Sequence, residues 1–294
     1  MGSERRELIN EQCSTQKNMI SASKAPDRAA GVLIGIAAGD RNGGPTQMAL
    51  RLAASLQHQG RFDLYDVGRR YLDWWKKGAF DTGPTTARVL ELVHSGMSFR
   101  DACDKVHENA SGLTAGCNPA HRIGPLSMLR ALPDRELPKA AMDEAALTHR
   151  HPLAGDVSAA VVSLCRALIR GLDWSAARAA AKSGRMKETS NALEVPNIGS
   201  LKRGGFAPDT LAAAIYFVAT SSNFRDALSD AIDFAGPANY CPVLVGTIAG
   251  ARWAASEIPQ DATRHLGGLL TIVRDLGQQL AKSWEGVESY TNDA

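Results

Sequence analysis

GVLIGIAAGDRNGGPTQMALRLAASL, residues 31–56, is two apolar runs hinged on a polar turn. Gly31, Gly35 and Gly39 recur every fourth residue, so they share one helical face. A face without side chains lets a second backbone come close. Asp40-Arg41-Asn42-Gly43-Gly44-Pro45 breaks that helix. Thr46 begins the next, with Pro45 suited to a first turn and Thr46 able to take part in a cap. This junction reads either as a plain corner between buried helices or as the floor of a pocket, since free N–H groups at a helix start attract anions.

The remaining chain supports packed helices. Of its 294 residues 44% are hydrophobic and only 6% aromatic, with alanine and leucine dominant. Helical spacing recurs over 63–77, 84–94, 99–108, 120–132, 138–148, 153–171, 174–184, 208–219, 223–234, 242–255 and 263–284. Polar or glycine-bearing loops fall at 78–83, 109–119, 187–205 and 235–241. Gly246 and Gly250 give 242–255 a second glycine face. No strand pattern of any length appears, so the expected fold is all-α. The expected domain runs over 29–285, between tails at 1–28 and 286–294. A net charge of +2 gives no argument for nucleic acid, and no apolar run suggests a membrane span. Five scattered cysteines without a CxxC pair suggest a reduced, cytoplasmic protein.

Four motifs then stand in order: GIAAGD…PTQMALRLAASL, TAGCNPAHRIGPL, LTHRHPLAGD and AGPANYCPVLVGTIAGA. Together they resemble the ADP-ribosylglycohydrolase family, from about residue 31 to 259. That resemblance implies a compact orthogonal helix bundle with its site among helix ends. It also implies a glycosidic-bond hydrolase acting on ADP-ribose-like molecules or ADP-ribosylated targets. The family holds two magnesium or manganese ions with an early Thr-Asp-Asp-Thr and a late Gly-Gly-Asp-x-Asp-Thr. Here Gly44 and Pro45 stand at the early aspartates, and Pro237 and Asn239 at the late ones. Hard divalent cations need oxygen ligands, largely carboxylates. The expectation is therefore that no metal cofactor binds.

The same resemblance places a diphosphate against Gly116, Cys117, Asn118, His121 and Arg122, and a ribose near His149. Arg122 is also readable as pairing within the bundle, and His149 as a helix-end histidine satisfied by carbonyls. Polar residues at the altered turns suggest a metal-free site. Asp40 would act as base or electrostatic stabiliser, and His149 or Tyr240 as acid. Asn239 would orient hydroxyls, with Arg41, Asn42, Thr46 and His151 close by and Asp156 approaching from a further element. Cys241 reads as a nucleophile or, more simply, as a buried structural thiol. The spacing of His121, His149 and His151 suits a tetrahedral zinc site poorly. Two functions follow: a metal-independent hydrolase, or a catalytically inactive module that binds ADP-ribose-like ligands or a protein partner.

Overall fold

The two glycine faces, far apart in sequence, meet back to back. In the computed structural model, which describes residues 24–286, Lys24–Gly39 lies antiparallel to Tyr240–Trp253. A Cβ on Gly31 would sit 2.2 Å from the Gly250 carbonyl oxygen. One on Gly35 would sit 2.0 Å from that of Gly246, and one on Gly39 2.1 Å from that of Pro242. No side chain fits, so the backbones touch directly.

The described helices, in chain order, are α1 (Lys24–Gly39), α2 (Gly44–Gln59), α3 (Leu64–Lys76), α4 (Pro84–His94), α5 (Phe99–Asn109), α6 (Asn118–Arg122), α7 (Pro125–Met128) and α8 (Leu137–Ala145). They continue with α9 (Pro152–Ile169), α10 (Trp174–Lys182), α11 (Lys187–Ala192), α12 (Ala207–Thr220), α13 (Phe224–Ala235), α14 (Tyr240–Trp253) and α15 (Leu269–Ala281). Short 3₁₀ turns lie at Ile198–Ser200, Ala255–Glu257, Gln260–Leu266 and Lys282–Trp284. No strand forms among the described residues; one isolated bridge joins Gly116 to Phe206. The all-α expectation holds. By length and composition α9 is apolar enough to cross a membrane, although the sequence shows no such run at first sight. It is buried along nearly its whole length and serves as the central core helix.

The stretch expected as a loop over 187–205 carries α11 and a 3₁₀ turn, and three other boundaries differ from the sequence reading for local reasons. The first helix starts at Lys24, inside the expected tail, because Ala25 and Ala29 are already buried. Readings of residues 1–23 lie outside the described residues. The helix expected over 120–132 breaks into α6 and α7. Pro125 brings no N–H, and a side chain on Gly124 would collide with Ile36 and Val32 of α1 at 2.8 Å. The carbonyls left open where α7 ends, further along the same stretch, are claimed by buried Arg166. Its Nε donates to Ser127 O (2.7 Å), and its two Nη atoms to Leu129 O (2.8 Å) and Leu132 O (3.1 Å). The closing helix is also split, at Gly267-Gly268, where Gly267 takes φ +51°.

The glycine contact fixes the site. It sets the C-terminal end of α1 beside the N-terminal end of α14, so Asp40 and Asn239, 199 residues apart, share a hydrogen bond of 2.7 Å.

Candidate active site

Asp40 is buried and follows the end of α1. Its Oδ1 accepts from the N–H groups of Asn42 (3.2 Å) and Gly43 (2.8 Å) and from Asn239 Nδ2 (2.7 Å). Its Oδ2 accepts from Thr46 N–H at 2.7 Å. The residue at the N-cap of α2 is Gly43, which has no side chain to offer, so Asp40 caps that helix from outside. The carboxylate thus accepts four hydrogen bonds from the protein itself, three on Oδ1 and one on Oδ2. Asp40 therefore serves as a structural cap, where the sequence suggested a base or electrostatic stabiliser. The cap expected from Thr46 runs the other way: Thr46 donates its backbone N–H, and its buried hydroxyl has no partner. Asp40→Ala should lower stability by about 2–3 kcal/mol, the sum of a lost cap and an orphaned buried N–H. A urea midpoint measurement reads this directly, and Asp40→Asn should recover part of it.

Asn239 is likewise committed. Its Nδ2 serves Asp40 and its Oδ1 accepts from Arg41 N–H at 3.1 Å. Arg41 is exposed and bonds the Ala238 carbonyl, tying the early turn to the late one. Asn42 is exposed beside Asp81, whose carboxylate its side chain bonds.

A pocket of about 230 Å³ opens next to these turns. One wall is Asp81-Thr82-Gly83, the loop entering α4, with Pro84-Thr85-Thr86 of its first turn. A second wall is Gly116, Cys117 and Asn118; Gly205 and Tyr240 form a third side, with His121 and His149 at the base. From sequence the first wall reads as a loop, 78–83, and a helix start, 84–94, with no functional residue assigned to it. The signal was present: one acidic residue followed by Thr-Gly-Pro-Thr-Thr at a helix start.

Asp81 is the carboxylate that lines the pocket. It stands in the left-handed region at φ +49° and accepts only a long bond from Gly44 N–H, 3.3 Å, besides Asn42. Its pKa is raised, first by desolvation and then by the nearby negative charge of Asp40. Tyr240 also lines the pocket and is half-exposed, and its hydroxyl has no hydrogen-bond partner among the described residues.

The histidines do not behave as acids near neutrality. Burial pushes His121 down to about 4, despite the opposing charge of Asp40. Burial, aided by the Arg122 charge, pushes His149 down to about 3. Both are neutral imidazoles at pH 7. His149 thus keeps its expected place in the site but loses its expected part as general acid.

The expected phosphate cradle is largely occupied from within. Cys117 N–H donates to Gly205 O at 2.8 Å. Asn118 gives Nδ2 to Thr82 O (3.1 Å), while its Oδ1 accepts from Thr86 Oγ1 (3.0 Å) and Arg122 Nη1 (2.7 Å). Arg122 is fully buried, paired with Glu144 at 2.6 Å and set over the Tyr71 ring. The bundle-pairing reading of Arg122 is the correct one, and among the described residues no Lys or Arg lines the pocket. His151 caps α9, its Nδ1 accepting from Leu153 N–H at 3.2 Å, and does not line the pocket. Asp156 is turned away, paired with Arg185 at 3.3 Å and accepting from Met186 N–H. The Cys117 thiol is buried and pushed up to about 12; Cys241 is raised further still by burial, so neither is a poised nucleophile.

For the family's two ions the donors fall short. Among the described residues no three His, Cys, Asp or Glu side chains cluster as metal ligands. Asp40 already accepts four hydrogen bonds from the protein, Thr46 Oγ1 is a lone spare hydroxyl, and Asp81 is one carboxylate. Two hard cations need many more oxygens than that, so these residues do not fit the pair.

With the helical fold and a pocket among helix ends described, the sequence comparison is decisive: the ADP-ribosylglycohydrolase profile matches residues 45–290. The chain belongs to the ADP-ribosylglycohydrolase family. An ADP-ribosylarginine hydrolase (Tri1) of Pseudomonas putida strain GB-1 is 24% identical over 82% of this chain and 75% of its own length. An ADP-ribosyl-[dinitrogen reductase] glycohydrolase of Rhodospirillum rubrum is 24% identical over 73% of this chain and 69% of its own. A solved structure described as an ADP-ribosylglycohydrolase-related protein complex superposes with a TM-score of 0.71 at 25% identity, covering 88% of this chain and 99% of that one. In this family member the match starts at Pro45, at the start of α2. It leaves out α1, the helix whose contact with α14 brings Asp40 to Asn239.

Proposed function

We propose that this protein hydrolyses the glycosidic bond between a ribose and its leaving group in an ADP-ribose conjugate, without the family's paired cations. The observation that carries the reading is Asp81: a pocket-lining carboxylate with few internal bonds, in a pocket that Tyr240, with its unpartnered hydroxyl, also lines. As the C1–N bond breaks, positive charge develops on C1 and the ring oxygen. Ionised Asp81 stabilises that charge and takes a proton from the attacking water, while Tyr240 donates to the leaving nitrogen. The relatives named for ADP-ribosylarginine and ADP-ribosyl-dinitrogen reductase support an ADP-ribosylated protein side chain as the target. Four buried, unpaired thiols support the further reading of a protein working in a reducing, cytoplasmic setting.

The second reading is a non-catalytic ADP-ribose-binding module. It is favoured by the saturation of Asp40, Asn118 and Asn239, which leaves few free groups for chemistry. One experiment separates the two: release of ADP-ribose from an ADP-ribosylarginine peptide, run with magnesium and with a chelator. Equal turnover in both is expected. Turnover that needs magnesium sinks the metal-free mechanism. Binding of ADP-ribose in calorimetry without any turnover establishes the module instead.

A further inference from the structure

Beneath the pocket a chain of buried polar groups runs from Tyr71 to His149. Tyr71 Oη donates to Glu144 Oε1 at 2.6 Å, and Arg122 Nε donates to the same oxygen at 2.6 Å. Arg122 Nη2 lies 2.8 Å from Thr148 Oγ1, and Thr148 Oγ1 lies 2.9 Å from His149 Nδ1. The members are buried, so protons and lone pairs must match within the chain.

Directions follow from one fact: a guanidinium only donates. Thr148 Oγ1 therefore accepts from Arg122. Its own proton needs an acceptor, and the remaining contact of that hydroxyl is His149 Nδ1. Were Nδ1 protonated, the hydroxyl would receive two donors and its proton would go unmet, a cost of about 1–3 kcal/mol in a buried site. Nδ1 is thus the acceptor, and the single proton of the neutral ring sits on Nε2. Burial keeps the ring neutral down to about pH 3, so the arrangement does not change near neutrality.

The Nε2 edge faces the pocket wall at Gly116. A Cβ there would lie 3.1 Å from Nε2, so the glycine keeps that edge uncovered. We propose that Glu144, Arg122 and Thr148 form a tautomer lock, which makes His149 a fixed Nε2–H donor toward a ligand hydroxyl or ring oxygen in the pocket. Arg122 and Thr148 are positioning residues: they act on ligand only through His149. The lock specifies the part His149 plays in the proposed ADP-ribose site and in that respect rests on that reading. The proton placement itself stands on the ligand-free protein.

The test is nitrogen NMR on the whole protein carrying ¹⁵N-histidine, with the His149 signals assigned by their loss in His149→Gln. The expected spectrum has a pyrrole-like Nε2 and a pyridine-like Nδ1, unchanged across pH 6 to 8. Thr148→Val should give a mixed or reversed tautomer and weaken ADP-ribose binding in calorimetry about tenfold, one neutral hydrogen bond. Thr148→Ser should restore both. A wild-type His149 protonated on Nδ1, or a Thr148→Val protein that folds and keeps the pure Nε2–H signature, overturns the lock. If Thr148→Val fails to fold, the wild-type spectrum decides alone. If ADP-ribose does not bind at all, the functional reading fails while the spectrum still judges the lock.

Discussion

Asp81→Asn should cut hydrolysis of an ADP-ribosylarginine peptide by about 10²–10⁴-fold, the usual worth of a positioned acid or base, while leaving the fold at least as stable. The two halves have one cause. Desolvation and the Asp40 charge raise the Asp81 pKa. The folded state therefore holds that proton more tightly than the unfolded chain. Stability linked to this group is fully present below the ordinary carboxylate pKa and is lost as pH rises through the raised folded value. At pH 7 the ionised side chain works against folding, so asparagine, which still accepts from Gly44, removes that load. Activity should follow the ionised form. In the wild type kcat/KM should fall on the acid side, with an apparent pKa above the usual carboxylate range of about 3.9. A thermal melt and a pH–rate profile on the same two proteins check both halves. Full activity in Asp81→Asn would move the chemistry elsewhere in the pocket.

The fold was legible because its governing signals are local. Helical spacing marked α4 and α9, Asn223 sat where a cap for α13 was needed, and the four-residue glycine rhythm of residues 31–39 announced a backbone contact. What remained hidden depends on where freed backbone groups find partners. The early end of α7 leaves carbonyls to Arg166, which lies some forty residues further along the chain. The site was only half legible for the same reason. Asp40 reads as a catalytic carboxylate until three donors from its own turn and one from a distant turn are found on it. Arg122 reads as a phosphate ligand until Glu144 is found against it. Conversely, Asp81 reads as an ordinary loop residue until folding leaves it facing a pocket with few internal bonds. Motif position told which turns meet; it did not tell which side chains are already used.

Gly35→Ala should destabilise the protein by about 3 kcal/mol or more, although alanine is the better helix former. Propensity alone favours alanine by about 1 kcal/mol in a helix interior. Against that, the new Cβ would stand 2.0 Å from the Gly246 carbonyl oxygen and 2.8 Å from its carbon, both backbone atoms on α14. A flexible side chain would swing aside; here a whole helix must move, and overpacking of this kind costs about 1–3 kcal/mol and sometimes more. Gly31 and Gly39 meet the same partner helix as closely, so α1 cannot tilt about Gly35 without opening the contacts at either end. Relief therefore requires α1 to slide or lift from α14. That shift separates Asp40 from Asn239 and loosens the cap on α2. The expected result is a melting temperature lower by roughly 6–12 °C, at about 2–4 °C per kcal/mol for a chain of this size. Gly268→Ala is the matched control: its Cβ meets nothing within 4 Å and its backbone is helical at φ −65°, so it should be neutral or slightly stabilising. Gly246→Ala should repeat the loss from the opposite face, since its Cβ would lie 2.0 Å from the Gly35 oxygen. If both alanine variants melt with the wild type, the backbones do not touch there, and the reason offered for Asp40 and Asn239 being neighbours goes with them.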